Sequence, residues 1–161
     1  AFNSCSGWLG GLNDCFASKG FQLARVQTPS EKYVFILNTH LDAGRSTSDR
    51  KARAEQLNQI LTKVKQVTSE EALIVAGDLN LRWNDPQDSH LLEAFKEDLG
   101  LIDSFEGVKF EKTRPVLDYI LYRNGTTTTL EVLEVGEDPD FQYDNEPLSD
   151  HPALFIRLLI R

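Results

Sequence analysis

The chain has 161 residues, of which 40% are hydrophobic and 26% charged, with a formal net charge of −8. A domain of this size buries most of its apolar surface, and the acidic balance argues against a broad basic surface for nucleic acid, although metal ions can invert the potential locally at a phosphate site. No apolar run approaches the roughly 20 residues that span a bilayer as a helix, so no transmembrane segment is expected.

In chain order, residues 1–18 read as a loop broken by Gly7, Gly10, Gly11 and Asn13. This segment holds the only cysteines, Cys5 and Cys15. They are either a disulfide, which implies an oxidising compartment and so a secreted or periplasmic protein, or two plain thiols in an arm. Residues 21–26 and 33–37 read as strands joined by a turn at Thr28-Pro29-Ser30, and residues 42–48 as a polar loop. A helix is predicted over 49–67, capped by Ser48. Its apolar stripe is Leu57, Ile60, Leu61 and Val64, and Arg50, Lys51, Lys63 and Lys65 face solvent.

Residues 72–76 form a buried strand, 81–89 a polar loop containing Trp83 and Pro86, and 91–99 a short helix opened by His90 and ended by Gly100. Further strands are predicted at 116–122, 126–135 and 153–160, the first two joined as a hairpin at Asn124-Gly125. Residues 34–37 and 73–76 are apolar without alternation, a pattern that implies cover on both faces of the sheet. Two helices cover roughly one face. The other face needs another sheet, a second copy of the chain, or a segment outside it.

The chemistry sits at the ends of these apolar runs. Asn38-Thr39-His40-Leu41 follows the second strand, and Gly77-Asp78-Leu79-Asn80 follows the third. Asp118 lies within an apolar strand, where a carboxylate is costly unless paired. Ser149-Asp150-His151 precedes the last strand. Taken singly, each has a plain structural reading: Gly, Asp and Asn form turns, and a histidine at a strand end is readily a hydrogen-bonded surface residue. Together, two histidines, three aspartates and an asparagine are a kit for metal-assisted hydrolysis.

In order, Ser18-Lys19-Gly20-Phe21, Thr39-His40-Leu41, Arg53-x-x-Gln56-Leu57, Gly77-Asp78-x-Asn80, Leu117-Asp118-Tyr119-Ile120 and Ser149-Asp150-His151 resemble the endonuclease/exonuclease/phosphatase superfamily, and most nearly its bacterial neutral sphingomyelinases. The resemblance implies an α/β fold: a mostly antiparallel or mixed sheet with helices on one face, as half of a four-layer α-β-β-α sandwich. It implies that His151 is a general base, that Asp118 holds its imidazole, and that Asp78 and Asn80 orient water and contact phosphate. His40 would stabilise the phosphate or protonate the leaving oxygen. Asp150, with Asp78 and Asn80, would bind Mg²⁺ or Mn²⁺.

Family members also carry an early strand ending in Asn and a strand ending in a metal-binding Glu, neither of which is found in 1–161. The expectation is therefore the C-terminal part of such a domain, starting where the family's second half starts. The polar, short segments at 81–89 and after Val135 lack the apolar hairpins that sphingomyelinases use at membranes. Two readings follow. One is a divalent-metal-dependent phosphodiesterase, acting on a phospholipid or nucleic-acid phosphodiester and inactive without its N-terminal half. The other is a non-catalytic binding or scaffold module of the same fold.

Overall fold

The computed structural model describes residues 1–7, 15, 17–68, 70–107 and 117–161. The expected breakers Gly10, Gly11 and Asn13 and the predicted strand residue Val116 lie outside the described residues. The strands are β1 (Phe21–Gln27), β2 (Tyr33–His40), β3 (Ala72–Asp78), β4 (Ile102–Asp103), β5 (Asp118–Arg123), β6 (Leu130–Glu137), β7 (Gln142–Tyr143), β8 (Glu146–Pro147) and β9 (Leu154–Ile160). The helices are α1 (Thr47–Val67) and α2 (Pro86–Leu99). The class is α/β, and the main sheet is mixed. Its five strands run β1-β2-β3-β5-β4, with β2 and β3 parallel and the other neighbours antiparallel.

Both helices pack on one face. Leu57, Ile60 and Val64 of α1 and Leu92, Phe95 and Leu99 of α2 meet Phe35, Leu37, Leu73, Val75, Tyr119 and Leu121 in a single buried cluster. The strand residues alternate as a pleated strand requires, so odd positions of β2 and β3 point to the helices. The opposite face is covered in part by one of the three covers expected, another sheet. A second sheet, β6 paired antiparallel with β9, lies across its lower end. Leu130, Leu158 and Ile160 pack there on Val34, Ala72, Ile74 and Tyr122. Higher on that face Ile36 is 38% exposed, so the apolar run of β2 is covered on both faces only near Val34.

Several local expectations are corrected. The α1 cap is Ser46, not Ser48, because Asp49 then falls at the third helical position and closes a reciprocal capping box. Arg50 does not simply face solvent; it lies 3.1 Å from Asp85. The second helix begins at Pro86, five residues before the predicted start, since Asp85 caps it and proline is tolerated in the first turn. His90 is therefore an exposed residue inside α2 rather than its opening.

Asn124-Gly125 makes no hairpin. β5 pairs with β3 and β4 in one sheet and β6 with β9 in another, so residues 124–129 carry the chain between sheets. Asn124 instead accepts the Leu130 N–H through its side chain at 2.7 Å. The β-prone threonines 126–129 precede β6, which starts at Leu130. Cys5 and Cys15 are joined as a disulfide.

Candidate active site

Strand register builds the site. His40 is the register partner of Asp78, and Asp78 is the register partner of Asp118. The last residues of β2 and β3 and the first of β5 thus stand in one row across three neighbouring strands. They share a pleat with Ile36, Ile74 and Ile120, which puts them on the face away from the helices. Asp118 opens β5 rather than lying in its middle.

His151, in the loop before β9, reaches this row. Its Nδ1–H donates to Asp118 Oδ2 at 2.6 Å, and its own backbone N–H donates to Ser149 Oγ at 3.1 Å. With Nδ1 committed to a carboxylate, the neutral ring carries its lone pair on Nε2. His40 Nε2 lies 3.4 Å from Asp78 Oδ2 and 3.4 Å from Lys19 Nζ. Lys19 also donates to the Leu41 carbonyl at 2.9 Å. The side chain of His40 is 58% exposed and that of Asp78 only 15%.

Asn80 sits just past β3 with φ +50, a left-handed conformation that asparagine tolerates better than most residues. Its N–H donates to Asp78 Oδ1 at 2.8 Å, and its Nδ2 donates to the buried Leu41 carbonyl at 3.0 Å. That bond fixes the amide orientation and turns Oδ1 the other way. Asp150 is exposed, with Ser149 Oγ 3.5 Å from its carboxylate. The row therefore gathers His40, Asp78, Asn80, Asp118 and His151, while Asp150 stands at its rim.

The electrostatics follow from these contacts. Burial pushes the Asp118 carboxyl up, the hydrogen bond and charge of His151 oppose this, Asp78 reinforces it, and the net direction is up. Partial burial disfavours the charged His151 ring. The hydrogen bond and charge of Asp118, with the charges of Asp78 and Asp150, outweigh that and hold its pKa above the ordinary value. In chelated protein, histidine proton NMR should therefore show His151 titrating above 6.5, its ordinary value. Asp118→Asn removes both an acceptor charge and the pull it exerts, so the titration should then move down. His151 titrating at or below 6.5 in the unmutated protein would contradict this.

Atoms of Asp78, Asp118 and His151 lie within 4.8 Å of one another, which is metal-site spacing. The 2.6 Å Asp118–His151 contact commits that pair to each other. Hard oxygens remain on Asp78 and Asn80, with the Asp150 carboxylate near enough for its charge to act on His151. Mg²⁺ commonly takes one or two carboxylates and fills its sphere with water and phosphate oxygens. The donor set fits such a cation in kind.

The profile of Endonuclease/Exonuclease/phosphatase family 2 matches residues 3–99. The chain belongs to this family. Among relatives of the family member described here, a sphingomyelinase of Mycobacterium tuberculosis (strain ATCC 25618 / H37Rv) is 31% identical over 158 residues, covering 88% of this chain and 31% of that protein. The sphingomyelinase of Mycobacterium bovis (strain ATCC BAA-935 / AF2122/97) shares the same 31% identity over the same 88% of the chain. The chain thus spans about a third of the length of these curated relatives.

Similar solved structures place the fold among DNase I-like domains. The endonuclease/exonuclease/phosphatase from Beutenbergia cavernae DSM 12333 superposes with a TM-score of 0.68 at 20% identity, over 87% of this chain and 39% of its own. D. rerio TDP2 complexed with a single-strand DNA product gives 0.66 at 22%, over 88% and 62%. Sphingomyelinase C from Streptomyces griseocarneus gives 0.60 at 20%, over 95% and 60%.

Lys19, Arg53 and Gln56 have contacts around the site to which the sequence attached no role. Two signals were available: all three stand in motifs that carry the resemblance, and Arg53 and Gln56 fall on the same helical stripe as Leu57 and Ile60, where a charged or amide side chain is out of place unless it holds something.

Proposed function

We propose that the row of His40, Asp78, Asn80, Asp118 and His151 is the catalytic half-site of a divalent-metal-dependent phosphodiester hydrolase. The observation that carries this reading is the 2.6 Å His151–Asp118 hydrogen bond standing against Asp78 and His40 at the ends of neighbouring strands. Asp118 fixes the tautomer of His151, so that Nε2 accepts a proton from water. The resulting hydroxide attacks phosphorus, the bond to the leaving oxygen breaks, and a protonated His40 returns a proton to that oxygen. Asp78 and Asn80 orient the water and contact the phosphate. A bound cation, held by Asp78, Asp150 and Asn80, would neutralise phosphate charge; Mg²⁺ or Mn²⁺ suits these oxygens.

For substrate, we favour a sphingomyelinase-like phospholipid or a nucleic-acid phosphodiester, on the strength of the mycobacterial relatives and the DNA-bound TDP2 structure. Assay of the intact protein with sphingomyelin, DNA and a small aryl phosphodiester distinguishes them; absence of Mg²⁺-dependent hydrolysis of all three would leave the scaffold reading. That second reading is favoured by one observation, the thin oxygen set among the described residues. For the same reason calorimetry of the 161-residue chain should show weak, non-saturating Mg²⁺ binding and very low turnover. A tight site with robust turnover would overturn the incomplete-ligand argument.

The reading includes a partner on the open sheet face: a further polypeptide segment or a second copy. Its support is the exposure of Ile36 and Val26 beyond the reach of the β6–β9 sheet. Light scattering of the chain should reveal self-association, and a clean monomer at high concentration would argue against it. The disulfide between Cys5 and Cys15 supports a secreted or periplasmic setting. Among the described residues no helix is long and apolar enough to cross a membrane.

A further inference from the structure

Neither Arg53 nor Asp88 lies in the active-site row, yet both are almost wholly buried: Arg53 is 0% exposed and Asp88 1%. A buried cation is costly unless it is paired and its donors are used. Arg53 Nη2 donates to Asp88 Oδ1 at 3.2 Å, which joins α1 to α2. Its Nη1 donates to the carbonyls of Asp42 and Gly44 at 3.0 Å each, and lies 3.4 Å from that of Ala43. One planar guanidinium thus holds the loop leaving β2 through Nη1 and Asp88 through Nη2 at once, a two-nitrogen reach that a single-nitrogen ammonium cannot reproduce.

Gln56, one turn along, holds the same loop. Its Oε1 accepts the Asp42 N–H at 3.0 Å, and its Nε2 donates to Asp42 Oδ1 at 2.7 Å. Asp42 follows Leu41, and Leu41 is the hub of the site. Its N–H donates to the Asp78 carbonyl at 2.9 Å, and its own carbonyl accepts Asn80 Nδ2 and Lys19 Nζ. The second arm of the pair reaches the other loop: Asp88 Oδ2 accepts the Arg82 N–H at 3.3 Å, two residues after Asn80.

We propose that the buried Arg53–Asp88 pair is the positioning device of the site, setting the loop after His40 and the loop after Asn80 in register with each other. This rests on the hydrolase reading given above. Arg53 and Asp88 touch no substrate. They act through Leu41 and Arg82 on the side chains that do.

Three variants in the intact protein test this: Arg53→Met, Arg53→Lys and Asp88→Asn. Arg53→Met should lower the thermal midpoint, since it leaves the buried Asp88 with only the longer contacts to Arg50 and Arg82. Arg53→Lys should recover much of that midpoint, because a positive charge still faces Asp88, but one nitrogen cannot hold Asp88 and the loop carbonyls together. Hydrogen exchange read by mass spectrometry should therefore show residues 42–45 exchanging at least tenfold faster in Arg53→Lys, with β1 and β9 unchanged. Asp88→Asn should loosen residues 81–84 in the same selective way.

On bis(p-nitrophenyl) phosphate, Arg53→Lys should lower kcat by between roughly ten- and a hundredfold, the scale of a small misplacement of reacting groups, with KM unchanged. Wild-type exchange at 42–45 in Arg53→Lys, or loosening spread evenly over the molecule, would overturn the proposal; so would selective loosening with kcat intact. If the wild type hydrolyses no phosphodiester, the hydrolase reading fails while the exchange measurement still decides whether the pair sets both loops.

Discussion

His151→Ala is expected to lower kcat for phosphodiester hydrolysis by the intact protein by about 10²–10⁴-fold, the contribution of a positioned general base. The substitution leaves the fold largely alone. The ring is 35% exposed on its side chain and its polar contact is with Asp118, so little apolar burial is lost. What disappears is the lone pair on Nε2. Asp118→Asn should also be severe, because an amide can present its NH₂ to Nδ1 and so favour the wrong tautomer. The two should not add. Residues acting as one unit are non-additive, so His151→Ala with Asp118→Asn should be hardly worse than His151→Ala alone. A His151→Ala enzyme within threefold of wild type, or a double variant whose losses multiply, would remove His151 from the base role.

How much of this was legible in the sequence depends on the range of the interactions. The helix stripe of Leu57, Ile60 and Val64 is a local pattern with a period of 3.6 residues, and it meets the core as read. The polar motifs could be seen to end apolar runs. Their convergence could not be read locally, because it depends on register: a slip of one residue between β2 and β3 would send His40 and Asp78 to opposite faces. The resemblance supplied what periodicity could not. The hairpin expected at Asn124-Gly125 failed for a related reason. The turn signal was real, as Asn124 does bind the Leu130 N–H, but sheet pairing is decided by long-range contacts, and β6 found β9.

The cover of the second face was likewise only half legible. Consecutive apolar residues in β2 said that something packs there, but could not say that residues from the last third of the chain do so. Ile36 stayed exposed because the β6–β9 sheet covers β2 at Val34, and at the level of Ile36 its contact is with Ile74 of the neighbouring strand. Arg53 was named without a role. The Arg53-x-x-Gln56-Leu57 motif marked it as part of the resemblance, and its place among Leu57 and Ile60 hinted at burial, but neither named the carbonyls it holds.

Gly77→Ala should cost about 4 kcal/mol or more of folding stability, a large share of the 5–15 kcal/mol that domains commonly have. Two terms combine. Gly77 has φ +138, a conformation open to glycine and strained for any L side chain, which by itself costs on the order of 1–3 kcal/mol. In addition, a Cβ built there would stand 1.9 Å from the Thr39 carbonyl oxygen. That atom belongs to the β2 backbone, paired with Gly77 across the parallel ladder, so relief requires the two strands to part. They would part at the step just before His40 and Asp78, and hydrolysis should fall even in the fraction that stays folded.

Gly100→Ala is the matched control. Gly100 also has positive φ, +64, at the end of α2, but a Cβ there meets nothing within 4 Å. Only the left-handed strain remains, roughly 1–2 kcal/mol. Urea unfolding of the two variants should therefore separate their midpoints clearly, with Gly77→Ala the lower. Equal midpoints would mean that the β2–β3 ladder yields more easily than its backbone contacts suggest, and that the strand ends do not hold the row as rigidly as the proposed chemistry requires.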